Sequence, residues 1–248
     1  MSNSSKIAPS LDLRLVSLLL DVDGTLLDIA PTPESVTVPA SLVDTIAKLS
    51  RLASGAVAFI SGRQLAMIDS LFTPLRLPTV GCHGAEIRLS ADGGVQNGPE
   101  LPDSVKLCVR EIASIAPGVI LEDKGHTLAV HYRSTPDAGG AVLRALLEQR
   151  AVFAAHDIQI LRGKAVIEVK PRWFSKGTGL RHLMQHAPFA GRTPVFLGDD
   201  TTDEDVFRVL PDYEGIGFSV GRKIDGASHV FASPRDVRLW LTQLADEH

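Results

Sequence analysis

Asp21-Val22-Asp23-Gly24-Thr25 sets two carboxylates one residue apart, directly after the apolar run Val16 to Leu20. Ionised groups at the mouth of a buried strand are costly unless a cation or hydrogen bonds compensate them. Three other fragments carry related chemistry: Ser61-Gly62-Arg63, Lys176-Gly177 and Gly198-Asp199-Asp200-Thr201-Thr202-Asp203. A carboxylate attacks a phosphoryl group only when that group's negative charge is neutralised, so carboxylates, a hydroxyl and a lysine brought to one point suit phosphoryl transfer. A calcium loop does not fit, because an EF-hand has its glycine at the sixth position and Gly24 is the fourth. On its own the first fragment reads equally well as a capped turn, with Asp23 bonding the backbone ahead of Gly24.

The elements that must position these residues alternate. Val16 to Leu20 has the continuous apolar character of a strand buried on both faces; Ser41 to Leu52 carries Leu42, Val43, Ile46, Leu49 and Leu52 on one helical stripe; Ala56 to Ile60 is a second buried strand. Both strands deliver polar residues past their carboxyl ends, where open α/β sheets bind ligands. The middle of the chain predicts helix 103–115, strands 118–122 and 127–133, helix 137–149, and strands 157–161 and 164–170. After Pro171 the alternation returns: helix 176–186, strand 194–197, helix 203–210, strand 215–220, and a closing helix with Ser233 as N-cap and Pro234 in its first turn. The prediction is an α/β fold: a Rossmann-like core with a parallel sheet, made from residues 1–88 and 173–248, interrupted by an αββαββ insert over 89–172.

Period-two alternation puts His131 and Arg133 on one face of strand 127–133, and Lys164 and Glu168 on one face of strand 164–170, with Glu122 and Lys124 at the nearby turn. These residues form either one polar binding surface or a solvated face laced with ion pairs. With 25 basic and 29 acidic residues the net charge is −4, which offers no cationic field for nucleic acid or an anionic membrane. Two cysteines, Cys82 and Cys108, build neither a disulfide framework nor a zinc site and suit a reducing cytoplasm. Neither the polar N-terminal stretch nor the short run that follows reads as a signal peptide or membrane span. No obligate protein partner is evident.

In order and in strand context, the four polar fragments resemble the four motifs of the haloacid dehalogenase superfamily of phosphatases, and the insert resembles that superfamily's type-B cap. Gly81-Cys82-His83-Gly84-Ala85-Glu86, Glu122-Asp123-Lys124, His131-Tyr132-Arg133 and Gly163-Lys164 with Glu168 look, more narrowly, like those of trehalose-6-phosphate phosphatases. The match is closer than to sucrose-phosphate, mannosylglycerate-pathway or phosphomannomutase relatives. The resemblance implies that Asp21 is the nucleophile forming an aspartyl-phosphate and that Asp23 is the acid for the leaving oxygen, then the base for water. It implies that Ser61 and Lys176 hold phosphoryl oxygens. Mg²⁺ would be ligated by Asp21, the backbone carbonyl of Asp23 and Asp199, with Asp200 or Asp203 completing the shell. Gly62, Arg63, Glu86, Glu122, Lys124, His131, Arg133, Lys164 and Glu168 would contact a small-molecule sugar phosphate. Gly179, where the family more usually has alanine, predicts a looser helix.

Two readings from other classes remain open at this stage. Gly217-Phe218-Ser219-Val220-Gly221 matches the nucleophile elbow of serine hydrolases, although only 29 residues follow Ser219 and Asp225 and His229 are poorly spaced for its triad. A non-catalytic sugar-phosphate-binding module would retain the fold, but binding alone has no need for Asp23 beside Asp21.

Overall fold

β1 (Val16–Leu20) is buried along its whole length, as a strand covered on both faces must be. In the computed structural model, which describes residues 10–30, 36–163 and 165–247, β1 is followed by α1 (Ala40–Leu52), β2 (Val57–Ile60), α2 (Leu65–Leu71), β3 (Thr79–Gly81), β4 (Glu86–Arg88) and β5 (Gln96–Asn97). Then come α3 (Asp103–Ala113), β6 (Ile120–Asp123), β7 (Leu128–His131), α4 (Gly139–Glu148), α5 (Arg150–Ala155), β8 (Ile158–Gly163) and β9 (Val166–Pro171). The chain closes with α6 (Lys176–Leu183), β10 (Thr193–Gly198), α7 (Glu204–Val209), β11 (Ile216–Val220), β12 (Ala227–Phe231) and α8 (Pro234–Asp246). Among the described residues no helix is long and apolar enough to cross a membrane.

The chain forms two compact units, Met1–Gln96 with Ser175–His248, and Asn97–Phe174. The insert therefore begins at Asn97 rather than at residue 89, because β3 and β4 form an antiparallel pair that stays with the larger sheet. That sheet has the order β12-β11-β10-β1-β2-β3-β4-β5 and is parallel from β12 through β3. The amphipathic stripe of α1 buries Leu42, Ile46 and Leu49, and α1 packs beside α8, which buries Val237, Trp240, Leu241 and Leu244. Ser233 caps α8 by accepting a hydrogen bond from the Asp236 amide.

The second unit is an antiparallel sheet, β6-β7-β9-β8, with its own core of Val105, Val109, Val130, Val142, Leu146 and Val169. Its order is αββααββ, not αββαββ. The stretch read as one helix over 137–149 begins as a short tight turn at Pro136–Ala138, continues as α4, and is followed by α5 after a break at Gln149. The strand predicted over 127–133 ends at His131, because the chain turns at Tyr132, whose ring lies against Gly139 with no room for a Cβ there. Arg133 consequently sits in an exposed turn, where strand alternation no longer decides its direction. Lys164 lies outside the described residues.

Candidate active site

β1 lies between β10 and β2, and Leu20 stands level with Leu197 on one side and Phe59 on the other. The next residues to emerge from these strands therefore bring Asp21, Ser61 and Asp199 to one rim. Lys176 reaches the same place from the first turn of α6. That turn is fixed by a reciprocal cap, in which Ser175 Oγ accepts from the Thr178 amide and Thr178 Oγ1 accepts from the Ser175 amide. Its Nζ donates to Asp21 Oδ1 and to Asp203 Oδ1, at 2.7 Å each. Asp203 Oδ2 in turn accepts from the amides of Asp199 and Asp200, at 2.9 and 3.0 Å. Both oxygens of Asp203 are thus engaged in holding Lys176 and the Asp199-Asp200 loop.

Asp21, Asp199 and Asp203 bring carboxylate oxygens within 4.8 Å of one another, with the Lys176 ammonium among them. Gly24, at φ +82°, lies so close that a Cβ there would be 2.1 Å from Asp199 Oδ2, and Thr25 Oγ1 donates to Asp199 Oδ1 at 3.4 Å. Three carboxylates against one ammonium leave an excess of negative charge. Burial, and then the neighbouring Asp203, push the Asp21 carboxyl well above its ordinary value. The same causes raise Asp199 to about 6. For Lys176, burial works against the charge, but Asp203 and Asp21 overcome it and the ammonium is held above its usual range. The chemistry of Asp21, Asp199 and Asp203 suits a hard divalent cation.

A stability measurement follows from the direction of these shifts. Between 3.8 and about 6 the folded protein retains a proton on Asp199 that the unfolded chain has lost, so in chelator this group's contribution to stability falls as pH rises through that window. A divalent cation replaces the proton and is expected to raise the melting temperature at pH 7.5 far more than at pH 4.5. Melting curves with and without the cation check this, and Asp199→Asn should flatten the difference.

Asp23 stands apart from the three-carboxylate group. Arg63 grips it with two parallel hydrogen bonds, Nε to Oδ2 at 2.6 Å and Nη2 to Oδ1 at 2.7 Å, the strong bidentate geometry of guanidinium and carboxylate. Ser61 is buried after β2, and its Oγ accepts from the Arg63 amide at 3.2 Å. Gly62 lies against the His83 ring. Asp200 Oδ1 accepts from the Thr201 amide at 2.7 Å. Glu86 accepts from the Leu65 amide at the start of α2, at 2.6 Å, so this carboxylate holds the segment after Arg63.

In the smaller unit, strand register aligns Glu122 opposite Ala129 and Ala129 opposite Glu168. His131 Nε2 lies 2.9 Å from Glu122 Oε2, and nearly buried Lys124 lies 3.8 Å from both Glu122 and Glu168. The His131 hydrogen bond holds the Glu122 carboxyl below its ordinary value against burial, and Lys124 adds to the effect. Charged groups ordered around a shielded lysine form a built polar surface, more than scattered surface pairs.

A family model described as trehalose-phosphatase matches residues 19–236. The chain belongs to the trehalose-phosphatase family. It is 39% identical over 229 residues to a probable trehalose-phosphate phosphatase of Sinorhizobium fredii, covering 92% of this chain and 86% of that protein. It is also 39% identical over 228 residues to a trehalose-6-phosphate phosphatase of Escherichia coli, covering 90% and 84%. The C-terminal domain of the Candida albicans trehalose-6-phosphate phosphatase superposes with a TM-score of 0.82 at 25% identity, covering 94% of this chain and 92% of that one. A phosphatase of the haloacid dehalogenase superfamily from Bacteroides thetaiotaomicron superposes with a TM-score of 0.64 at 20% identity, covering 97% of this chain and 99% of that one, and so shares the fold.

Within this trehalose-phosphatase fold, several features escape a reading of the sequence. Ser219 is fully buried inside β11, flanked by β10 and β12, and its hydroxyl has no hydrogen-bond partner. A nucleophile elbow needs an exposed serine at a strand-to-helix turn, so the serine-hydrolase reading fails. Gly179 does not loosen α6: a Cβ there would lie 2.4 Å from Val80 Cγ1, so glycine allows the helix to seat on β3. Arg222, one residue past Gly221, donates from Nε to the Asp199 carbonyl at 3.0 Å and reaches Glu204. Its only sequence signal is its position just beyond the carboxyl end of β11.

Proposed function

We propose that the protein is a phosphoric monoester hydrolase that converts trehalose 6-phosphate and water to trehalose and inorganic phosphate. The observation carrying this reading is the buried Lys176 bonded to both Asp21 and Asp203 at adjoining strand ends, in a chain of the trehalose-phosphatase family. Asp21 and Asp199, with Asp203 as their frame, would hold the proposed Mg²⁺, which when bound would supply neutralisation of phosphoryl charge. Asp21 attacks phosphorus while the sugar oxygen leaves with a proton from Asp23, giving an aspartyl-phosphate. Water then attacks that phosphorus, Asp23 takes a proton from it, and Asp21 is released. Lys176 and Ser61 hold phosphoryl oxygens. Arg63, which engages both oxygens of Asp23, must free one of them for these proton transfers.

The unit Asn97–Phe174 serves in this reading as the substrate-specificity cap, with Glu122, Lys124, His131, Arg133, Lys164 and Glu168 binding sugar hydroxyls. The absence of a disulfide at Cys82 and Cys108 suits the cytoplasm. Phosphate release across a panel of sugar phosphates, with Mg²⁺ and with EDTA, tests the function directly; trehalose 6-phosphate is expected to be hydrolysed fastest, and only with the metal. Glu168→Ala and Lys124→Ala test the cap. Each removes a hydrogen-bonded charge worth about 1.5 to 3 kcal/mol, or roughly one to two decades of kcat/KM, on the disaccharide phosphate. Activity on p-nitrophenyl phosphate, too small to reach these groups, should hold. Remote contacts can be expressed in kcat as well as KM. An equal fall on both esters would remove these residues from substrate recognition.

A further inference from the structure

The short stretch between β3 and β4 runs through three consecutive left-handed residues, Cys82 at φ +46°, His83 at +55° and Gly84 at +103°. Glycine adopts this conformation freely, but two adjacent residues with side chains persist there only where their surroundings enforce it. The surroundings here are the two segments that the proposed function assigns to phosphate. On one side, the Cys82 amide donates to the Arg63 carbonyl at 2.8 Å and the His83 amide to the Ser61 carbonyl at 3.1 Å. The buried His83 imidazole fills the place that a Gly62 side chain would take, its Nε2 only 2.5 Å from the position of a Cβ. Glu86 completes the grip through the Leu65 amide. On the other side, Gly84 sits so close to Ser175 that a Cβ would lie 2.7 Å from the Ser175 carbonyl oxygen, one residue before Lys176.

From this geometry we propose that His83 is a positioning residue: its ring and left-handed backbone set the Ser61-Gly62-Arg63 loop at a fixed distance from Lys176. The inference rests on Ser61 and Lys176 binding the phosphoryl group. His83 meets the Ser61-Gly62-Arg63 loop through its ring beside Gly62 and its amide on the Ser61 carbonyl, and through that loop it acts on the site. The ring occupies the space beside Gly62 while the two amides bond the carbonyls at each end of the loop that carries the Ser61 hydroxyl. Sub-ångström errors in such groups reduce turnover steeply.

His83→Gly is the informative variant, because glycine accommodates φ +55° and only the ring is lost. Its melting temperature should fall modestly with the loss of a buried ring, while kcat/KM of the folded protein falls roughly 10- to 100-fold on trehalose 6-phosphate and on p-nitrophenyl phosphate alike. Inorganic phosphate should bind correspondingly more weakly by competitive inhibition and by titration calorimetry, at an unchanged half-activating Mg²⁺ concentration. His83→Asn, which tolerates the left-handed region and also lacks the ring, should behave the same way and decides the matter if the glycine variant does not fold. A purely structural role would lower the active fraction or melting temperature and leave phosphate affinity unchanged; that result overturns the proposal. Wild-type kcat/KM in either folded variant also overturns it. Should wild type hydrolyse neither ester, the functional reading fails separately, and calorimetric phosphate affinity of wild type against variant still decides the role of His83. If wild type binds no phosphate, both readings fall.

Discussion

The Asp21→Asn protein is expected to fold, bind a phosphate ester and release no phosphate, with turnover lower by at least about 10⁴-fold. An amide is nearly isosteric with the carboxylate, and its oxygen can still accept the hydrogen bond that Lys176 Nζ donates to Asp21 Oδ1. It cannot form a stable acyl-phosphate. Stability should move in the opposite direction to activity. Asp21 is one of three carboxylates sharing one ammonium, and burial together with Asp203 and Asp199 disfavours its charged form. Removing that charge relieves repulsion, so the metal-free variant should melt at or above the wild-type temperature at neutral pH. Phosphate release and a melting curve on one preparation provide the check. Substantial turnover by a folded sample would remove Asp21 from the nucleophile's role.

Lys176→Met should abolish activity and, unlike the first variant, destabilise the fold. The ammonium is buried and bonded to Asp21 and Asp203, so its loss strands two carboxylates without their counter-charge. Breaking a buried pair from one side costs about 3–5 kcal/mol. The deficit should shrink as pH is lowered, because protons taken up by Asp21 and Asp199, already raised by burial and by Asp203, replace the missing positive charge. Denaturant unfolding at neutral and mildly acidic pH measures this. A deficit that is the same at both values would mean that Lys176 stabilises the protein through packing and not by neutralising the cluster.

How far these groups can be read from sequence depends on whether their partners are local. β1, α1, β2 and α8 are legible because each carries an unbroken apolar run or stripe long enough to show its period. β3 and β4 have three residues each, too few for any period, and α5 continues an apolar stretch whose break at Gln149 is a backbone feature without a glycine or proline to mark it. Asp21, Asp199 and Lys176 are legible as a set, since each follows a strand or opens a helix. Their division of labour is not. That both Asp203 oxygens are engaged, and that Arg63 is bonded to Asp23 across 40 residues, depends on side-chain directions set by packing. Glu86, expected on the substrate, also accepts from the Leu65 amide through Oε2, a contact no spacing rule suggests.

The position of β1 between β2 and β10 also governs how the protein comes into being. Its first neighbour follows within 40 residues, but the second begins at Thr193, roughly 170 residues after Leu20. At a synthesis rate of about 5–20 residues per second, that interval lasts on the order of ten to thirty seconds. Throughout it, one edge of a strand apolar at every position but Ser17 has no partner, and such edges recruit other chains. Asp21 therefore acquires its chemical surroundings only when the final third of the polypeptide arrives. Until then the nascent chain carries an aggregation hazard at the strand on which its catalytic centre will be built.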